Sequence, residues 1–120
     1  MKMRSGLLRN KRTAQVIADK AAVASSLLAR TKGLLGRRSL PPGEALVILK
    51  CNFVHTFFML FPIDLIFCSK DHKTLALQEN LKPWRFSKFV SKANYVIELP
   101  CGTLAKYQLQ NGDELELADR

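Results

Sequence analysis

The apolar run from Val54 to Cys68 (VHTFFMLFPIDLIFC) constrains the fold more than any other part of this sequence. A helix that crosses a bilayer needs about 20 clean apolar residues, whereas this run has 15, with a histidine, a proline and an aspartate among them. The run is therefore expected to lie inside a folded domain. Its pattern predicts two strands, Val54–Met59 and Ile63–Cys68, joined by a turn at Pro62.

Further short runs have the alternating or β-branched pattern of strands: Thr13–Ala18, Ala21–Ala24, Ala45–Leu49, Thr74–Gln78, Asn94–Leu99 and Glu114–Ala118. The segment SSLLARTKGLLGR, which begins at Ser25, instead places four leucines on one stripe at helical spacing, and Thr103–Leu109 fits one helical turn. We predict an α+β, mainly β fold: a small antiparallel sheet of about seven strands, barrel-like or a sandwich, with one amphipathic helix near the N-terminus.

The net charge of +9 is concentrated in the first third of the chain. Residues 1–38 hold ten Lys and Arg against one acid, whereas residues 39–120 hold nine against nine. Residues 1–12 have the composition of a basic flexible arm, and residues 13–120 are predicted to form a single domain. Such an arm is usually just solvated. An alternative is weak contact with a polyanion or an anionic membrane through Lys2, Arg4, Arg9, Lys11 and Arg12.

The three cysteines, Cys51, Cys68 and Cys101, are an odd number without CxxC spacing, so reduced thiols are expected. Together with the two histidines they lack the paired spacing of a metal site, and we predict neither a metal nor a cofactor. The apolar piece of the basic N-terminal segment, Leu7-Leu8, is too short for a secretory signal. We therefore expect a cytoplasmic protein without a transmembrane segment.

His55 and Asp64 are the ionisable residues inside the apolar run. In a hairpin around Pro62 they would lie roughly 10–13 Å apart, whereas a catalytic dyad needs contact at about 3 Å. Asp64 is therefore expected to be structural, accepting backbone N–H groups near the turn or pairing with Arg30. His55 fits either a satisfied core residue or a ligand contact.

A catalytic alternative is a hydrolase or transferase that uses His55 with Cys51 or Glu98. In an extended strand Cys51 and His55 would share a face at roughly 13 Å. That is too far for the imidazole to activate the thiol, unless the chain bends at Asn52. This alternative therefore requires a contact that local sequence does not supply.

The segment KPWRFSKF, residues 82–89, interleaves three aromatic side chains with three basic ones. Trp84 can stack on a sugar or a base, and Arg85 can bind a carboxylate or a phosphate. Alternatively, Trp84 folds down as a lid on the sheet, because tryptophan is highly buried on average. The segment thus indicates either a ligand contact or a cover for the core.

Five motifs follow one another in the chain: LLARTKGLLGRRSL, VHTFFMLFPIDLIF, KPW, YVIELPCGT and NGD. Through them, residues 13–118 resemble the bacterial and archaeal domain-of-unknown-function family 192, also called uncharacterised protein family 0127. The resemblance implies a small, mostly β domain with no established biochemistry, and relatives that are often exported. The recurring polar positions of that family correspond here to Arg30, Gly33, His55, Thr56, Met59, Asp64, Glu98, Gly102, Gly112 and Asp113. Two positions depart from the family: Leu60 replaces a frequent basic residue, and Cys101 replaces a small alanine.

These observations predict a small non-enzymatic binding or accessory domain. Its cleft would take a small molecule, a glycan or a protein ligand and would be lined by His55, Thr56, Met59, Trp84 and Arg85. A structural polar core, held by buried ion pairs, is expected from Arg30, Asp64 and Glu98.

Overall fold

The computed structural model describes residues 5–24 and 37–119 of the chain. Within these residues, seven strands and one short helix follow in the order β1 Ser5–Asn10, β2 Gln15–Ala24, β3 Glu44–Leu49, β4 Ile63–Cys68, β5 Thr74–Leu81, β6 Tyr95–Pro100, α1 Thr103–Lys106 and β7 Leu115–Asp119. The prediction of a mainly β fold with about seven strands is thus confirmed.

All seven strands form one sheet in the order β5-β4-β6-β3-β2-β1-β7. The sheet curls into a half-barrel, because its two end strands meet at one corner. There Thr74 N–H donates to the Asp113 carbonyl at 2.8 Å, and Leu115 N–H donates to the His72 carbonyl at 2.9 Å. The expectation of a purely antiparallel sheet is wrong, since β2 and β3 are parallel. Residues 25–43 connect these two strands and are long enough for the crossover that a parallel pair requires.

Two apolar clusters cover the two faces of the curled sheet. Cluster 1 includes Leu8, Val47, Ile66, Ile97 and Leu99. Cluster 2 includes Leu46, Ile48, Leu65, Phe67 and Val96. Strand β4 contributes to both clusters and is buried at all its positions, which explains why its sequence is a continuous apolar run instead of an alternating one.

Two predictions about the N-terminal third need correction. Ser5–Asn10 is not part of a flexible arm, because it forms β1 and pairs with both β2 and β7. Its alternation, with Leu8 and Asn10 buried and Arg9 exposed, is too short to stand out against the basic composition. The two strands predicted after it are one strand, β2. The predicted amphipathic helix beginning at Ser25 lies outside the described residues.

The predicted strand Val54–Met59 is wrong, and so is the hairpin around Pro62. Strand β4 instead pairs with β5 on one edge and with β6 on the other. With both edges occupied, no hydrogen-bonding edge remains for residues 54–59. These residues therefore leave the sheet.

Asp64 joins three segments of the chain from a position on β4 that is only 1% exposed. Its Oδ1 accepts the Asn80 N–H at 2.9 Å, and its Oδ2 accepts the N–H groups of Gly102 and Leu104, each at 3.0 Å. The carboxylate thereby connects β4 to the end of β5 and to the start of α1. The donors are backbone groups, but they do not come from the turn at Pro62, and Arg30 lies outside the described residues.

Asp64→Asn is expected to lower the free energy of unfolding by roughly 2–3 kcal/mol, because it turns an amide NH₂ toward buried N–H donors. Urea unfolding followed by circular dichroism measures this change. The matched control is Asp71→Asn, at an exposed position in a turn, which should change the free energy by no more than about 0.5 kcal/mol. Equal stabilities of the two variants would contradict the role given to Asp64.

Candidate functional site

Two loops, residues 50–62 and 82–94, run side by side and form a ribbon over the cluster 2 face of the sheet. Thr56 N–H donates to the Arg85 carbonyl at 2.8 Å, and Trp84 N–H donates to the Thr56 carbonyl at 2.9 Å. Ser87 N–H donates to the Val54 carbonyl at 2.9 Å. These bonds fix the two loops to each other, although neither is a regular strand; we call this pair of loops the ribbon.

Thr56 fastens the ribbon with its side chain as well as with its backbone. Its buried hydroxyl donates to the Lys82 carbonyl at 2.6 Å and accepts the Arg85 N–H at 3.0 Å. A β-branched residue with a hydroxyl suits this position, because the stiff side chain presents one oxygen to two backbone groups of the facing loop. Thr56 therefore sets the relative position of the loops.

Some side chains along residues 53–60 point into the molecule and others point out of it. Val54 and Met59 are buried within cluster 2, whereas Phe53, Phe58 and Leu60 are exposed. A surface segment of a globular domain normally turns polar side chains outward. Here the outward side chains are largely aromatic or aliphatic, which marks this surface as unusual.

The outward side chains of both loops form one connected aromatic surface, consisting of Phe53, Phe57, Phe58, Trp84, Phe86 and Phe89. Neighbouring rings have centroids 4.6 to 6.5 Å apart. Trp84 is 54% exposed, and Phe58, Phe86 and Phe89 are 62 to 66% exposed. A contiguous exposed apolar patch of this kind typically marks an interaction site.

Two of these aromatic residues have a strained backbone. Phe58 has φ of 66° and Trp84 has φ of 65°, in the left-handed region that bulky residues rarely occupy. Their rings contact each other at a centroid distance of 4.6 Å. Backbone strain of this kind costs about 1–3 kcal/mol per residue and persists only where surrounding contacts hold the chain in place.

The aromatic surface is bordered by positive charge. Residues 50–63 and 82–97 contain five basic residues and no acidic one, the basic residues being Lys50, Lys82, Arg85, Lys88 and Lys92. The last four are exposed and take part in none of the salt bridges among the described residues. The site thus combines exposed aromatic rings with unneutralised cations.

The five predicted binding residues all lie on the ribbon. His55, Trp84 and Arg85 are on its outer side, whereas Thr56 and Met59 are buried beneath it. Two cavities of about 140 and 160 Å³ in the described part of the chain are lined by other residues. The sequence interpretation singled out Phe86 and Phe89 within KPWRFSKF but missed Phe53, Phe57 and Phe58, although the aromatic density of FVHTFF would have indicated them.

His55 and Cys51, two residues of the catalytic alternative, each hydrogen-bond to the backbone of their own loop. Its Nδ1 accepts the Phe57 N–H at 3.2 Å, and the Cys51 thiol donates to the Phe53 carbonyl at 2.9 Å. Glu98 is 3% exposed, on the cluster 2 face between Leu46 and Leu65, whereas His55 is exposed. Among the described residues no three His, Cys, Asp or Glu side chains are arranged to hold a metal ion.

Glu98 and Asp64 were predicted to join in buried ion pairs, and in the described part of the chain neither does. Asp64 accepts backbone N–H groups, and Glu98 Oε1 has no hydrogen-bond partner among the described residues. Burial raises the pKa of Glu98 to about 8. This carboxyl is therefore largely protonated at neutral pH.

The basic residues of the N-terminal segment are partly neutralised within the fold. Arg9 pairs with Glu116 at 2.7 Å and Lys11 with Glu114 at 3.0 Å. Arg12 binds the buried Asp113 at 2.6 Å, while Lys2 and Arg4 lie outside the described residues. Three of the five side chains proposed for polyanion contact thus already have acidic partners on or beside β7.

Comparison with known proteins identifies relatives over most of the chain. The DUF192 family, described as "Uncharacterized ACR", matches residues 8–117. A UPF0127 protein of Pyrococcus abyssi is 34% identical over 103 residues, which cover 81% of this chain and 85% of that protein. No helix in the described residues has the length and apolarity to span a bilayer.

Two solved structures have the same fold. A protein of unknown function from Novosphingobium aromaticivorans superposes with a TM-score of 0.81 at 19% identity, covering 95% of this chain and 84% of that one. A Sinorhizobium meliloti protein gives 0.78 at 22% identity, covering 97% and 94%. At such low identity, the likeness concerns the fold alone.

Glu98→Gln is expected to reduce the pH dependence of stability. The folded state holds a proton that the unfolded chain, with a carboxyl pKa of 4.5, releases. The free energy of unfolding should therefore fall as pH rises from about 4.5 to about 8, with a slope of at most about 1.4 kcal/mol per pH unit from this group.

Urea unfolding at several pH values between these limits measures the slope for both proteins. Glu79→Gln, which removes an exposed carboxylate from β5, controls for the loss of one acid. If Glu98→Gln and the unmodified protein had the same slope, Glu98 would not be held protonated by burial.

Proposed function

This chain belongs to the DUF192 family, and from that premise we propose that it is a binding domain that engages an anionic partner through the aromatic surface of the ribbon. The observation that carries the proposal is the combination of a connected set of exposed rings with four exposed cations that take part in none of the salt bridges among the described residues, namely Lys82, Arg85, Lys88 and Lys92. Rings supply apolar contact area, and the cations attract negative charge.

The exposed rings cost stability in the free protein. Full burial of a phenylalanine gains about 1.5–3 kcal/mol, and Phe58, Phe86 and Phe89 are each about two-thirds exposed. For each of these side chains, burial of the exposed part would therefore supply a further free energy of roughly 1–2 kcal/mol. A partner that covers the aromatic surface would recover this free energy, which favours binding as the role of the ribbon.

The cations add selectivity for negative charge at short range. At physiological ionic strength, charges are screened beyond about 8 Å, so only side chains close to the contact influence binding. Lys82 and Arg85 flank Trp84 within the same short segment, and Lys88 lies between Phe86 and Phe89. These cations are thus neighbours in sequence of the exposed rings, although the Lys88 ammonium donates to the Leu77 carbonyl of β5 at 3.0 Å.

Trp84 is the only tryptophan in the chain, so its fluorescence reports directly on the aromatic surface. We expect its emission to change when the protein is titrated with at least one of three anionic probes: a short oligothymidylate, a heparin oligosaccharide, or vesicles containing phosphatidylserine. The change should weaken as salt rises from about 0.1 to 0.5 M. Unchanged emission with all three probes would overturn the proposal.

Phe58→Asn is expected to weaken that binding without loss of stability. Asparagine tolerates the left-handed conformation at this position better than phenylalanine does, and the ring that is removed is 65% exposed. We expect the free energy of unfolding to stay constant or to rise by up to about 1 kcal/mol. Leu117→Ala, at an exposed apolar position on β7, is the control and should leave binding intact. A variant destabilised by more than about 1 kcal/mol would show that Phe58 serves the fold.

A further inference from the structure

We infer that the partner of the aromatic surface is a lipid bilayer with anionic headgroups, an assignment that rests on the proposed function above. The ribbon would lie flat on the bilayer, with its rings between the headgroups and its cations against lipid phosphates and carboxylates. Three features of the ribbon lead to this partner: the chemistry of its tip, the angles between its rings, and the pairing of its backbone.

The tip of the ribbon, residues 57–60, has only apolar side chains. Met59 N–H donates to the Thr56 carbonyl at 3.1 Å and closes a turn. Phe58 and Leu60 project outward on either side of the buried Met59, with exposures of 65% and 62%. A tip without polar side chains suits a hydrocarbon environment better than a polar ligand that must be hydrogen-bonded.

The arrangement around the tip matches the layers of a bilayer surface. Trp84 contacts Phe58, is half exposed, and belongs to the residue type that is enriched where hydrocarbon meets headgroups. Lys82 and Arg85 follow on both sides of it, with long side chains that can extend toward the headgroups while their stems stay in the apolar layer. Basic residues in this position bind anionic lipids.

The angles between the rings disfavour single-stranded nucleic acid. Binding of successive bases uses separate ring faces as stacking platforms, but four of the ring contacts are tilted by 43° to 67°. Phe57 and Trp84 are the most nearly parallel pair, with centroids 6.0 Å apart. A base between two rings would need about 7 Å, twice the ordinary van der Waals separation.

The backbone of the ribbon also offers little for reading base edges or sugar hydroxyls. Thr56 and Trp84 use their N–H groups within the ribbon, as do Ser87 and Val90. Recognition of a base requires hydrogen bonds to its edges, whereas a bilayer surface requires only apolar area and positive charge. The ribbon supplies these two features.

The test uses the full chain with vesicles of phosphatidylcholine, with and without about 30% phosphatidylserine. We expect sedimentation with the anionic vesicles, a blue shift of Trp84 emission, and quenching of that emission by lipids brominated in their acyl chains. Lys82→Ala combined with Arg85→Ala should weaken binding by about 25-fold, taking roughly fivefold per cation. Lys70→Ala combined with Lys106→Ala, two exposed lysines elsewhere, is the matched control and should bind normally.

The outcomes separate this inference from the proposed function. If Trp84 responds to the oligothymidylate or to heparin but not to the vesicles, the bilayer assignment is overturned while the proposed function stands. If no probe changes its emission, both fall. Equal binding to neutral vesicles, or vesicle binding without quenching of Trp84, would overturn the bilayer assignment, because the cations or the rings would then not be the contact.

Discussion

Strand β4 is hydrogen-bonded along both edges, and this constraint determines where the candidate site lies. Because β5 and β6 occupy its edges, the apolar segment before Pro62 cannot join the sheet next to β4. It is nevertheless too apolar to be released into water. It therefore crosses the cluster 2 face as half of the ribbon, where it buries Val54, Thr56 and Met59 and exposes Phe53, Phe58 and Leu60.

The same short segments of the ribbon pack against the core and form the exposed aromatic surface. This dual role explains the irregular backbone of the ribbon. A regular strand would let every second side chain pack without strain, whereas Phe58 and Trp84 have left-handed backbones. The Thr56 hydroxyl holds this strained backbone in place, because it donates to the Lys82 carbonyl and accepts the Arg85 N–H of the facing loop. The buried Met59 side chain also holds the strained backbone in place, because it anchors the tip to the core. Fixed loops present the rings in one arrangement, so less ordering is required when a partner covers them.

The sequence predicts the strands β3, β4 and β6 better than it predicts β1 and the loops of the ribbon. The strands β3, β4 and β6 are recognisable because their burial is encoded locally in β-branched apolar runs. Strand β1 is not, since the bond of the buried Asn10 amide to Asp113 joins residues 103 positions apart. The segment before Pro62 has the apolar composition of a strand, and only the pairing of β4 with distant partners excludes that assignment. The site residues His55, Trp84 and Arg85 could be chosen from composition, but not their arrangement as an outer surface.

Acidic residues are distributed unevenly between β7 and the ribbon. Arg9, Lys11 and Arg12 are matched by the acids on and beside β7, so this side of the sheet presents paired charges that salt and solvent screen readily. The two loops of the ribbon carry five cations without an acid. Within the described part of the chain, the exposed aromatic rings and these cations lie on the same two loops. The proposed binding of an anionic partner would therefore use electrostatic attraction and apolar contact on one surface.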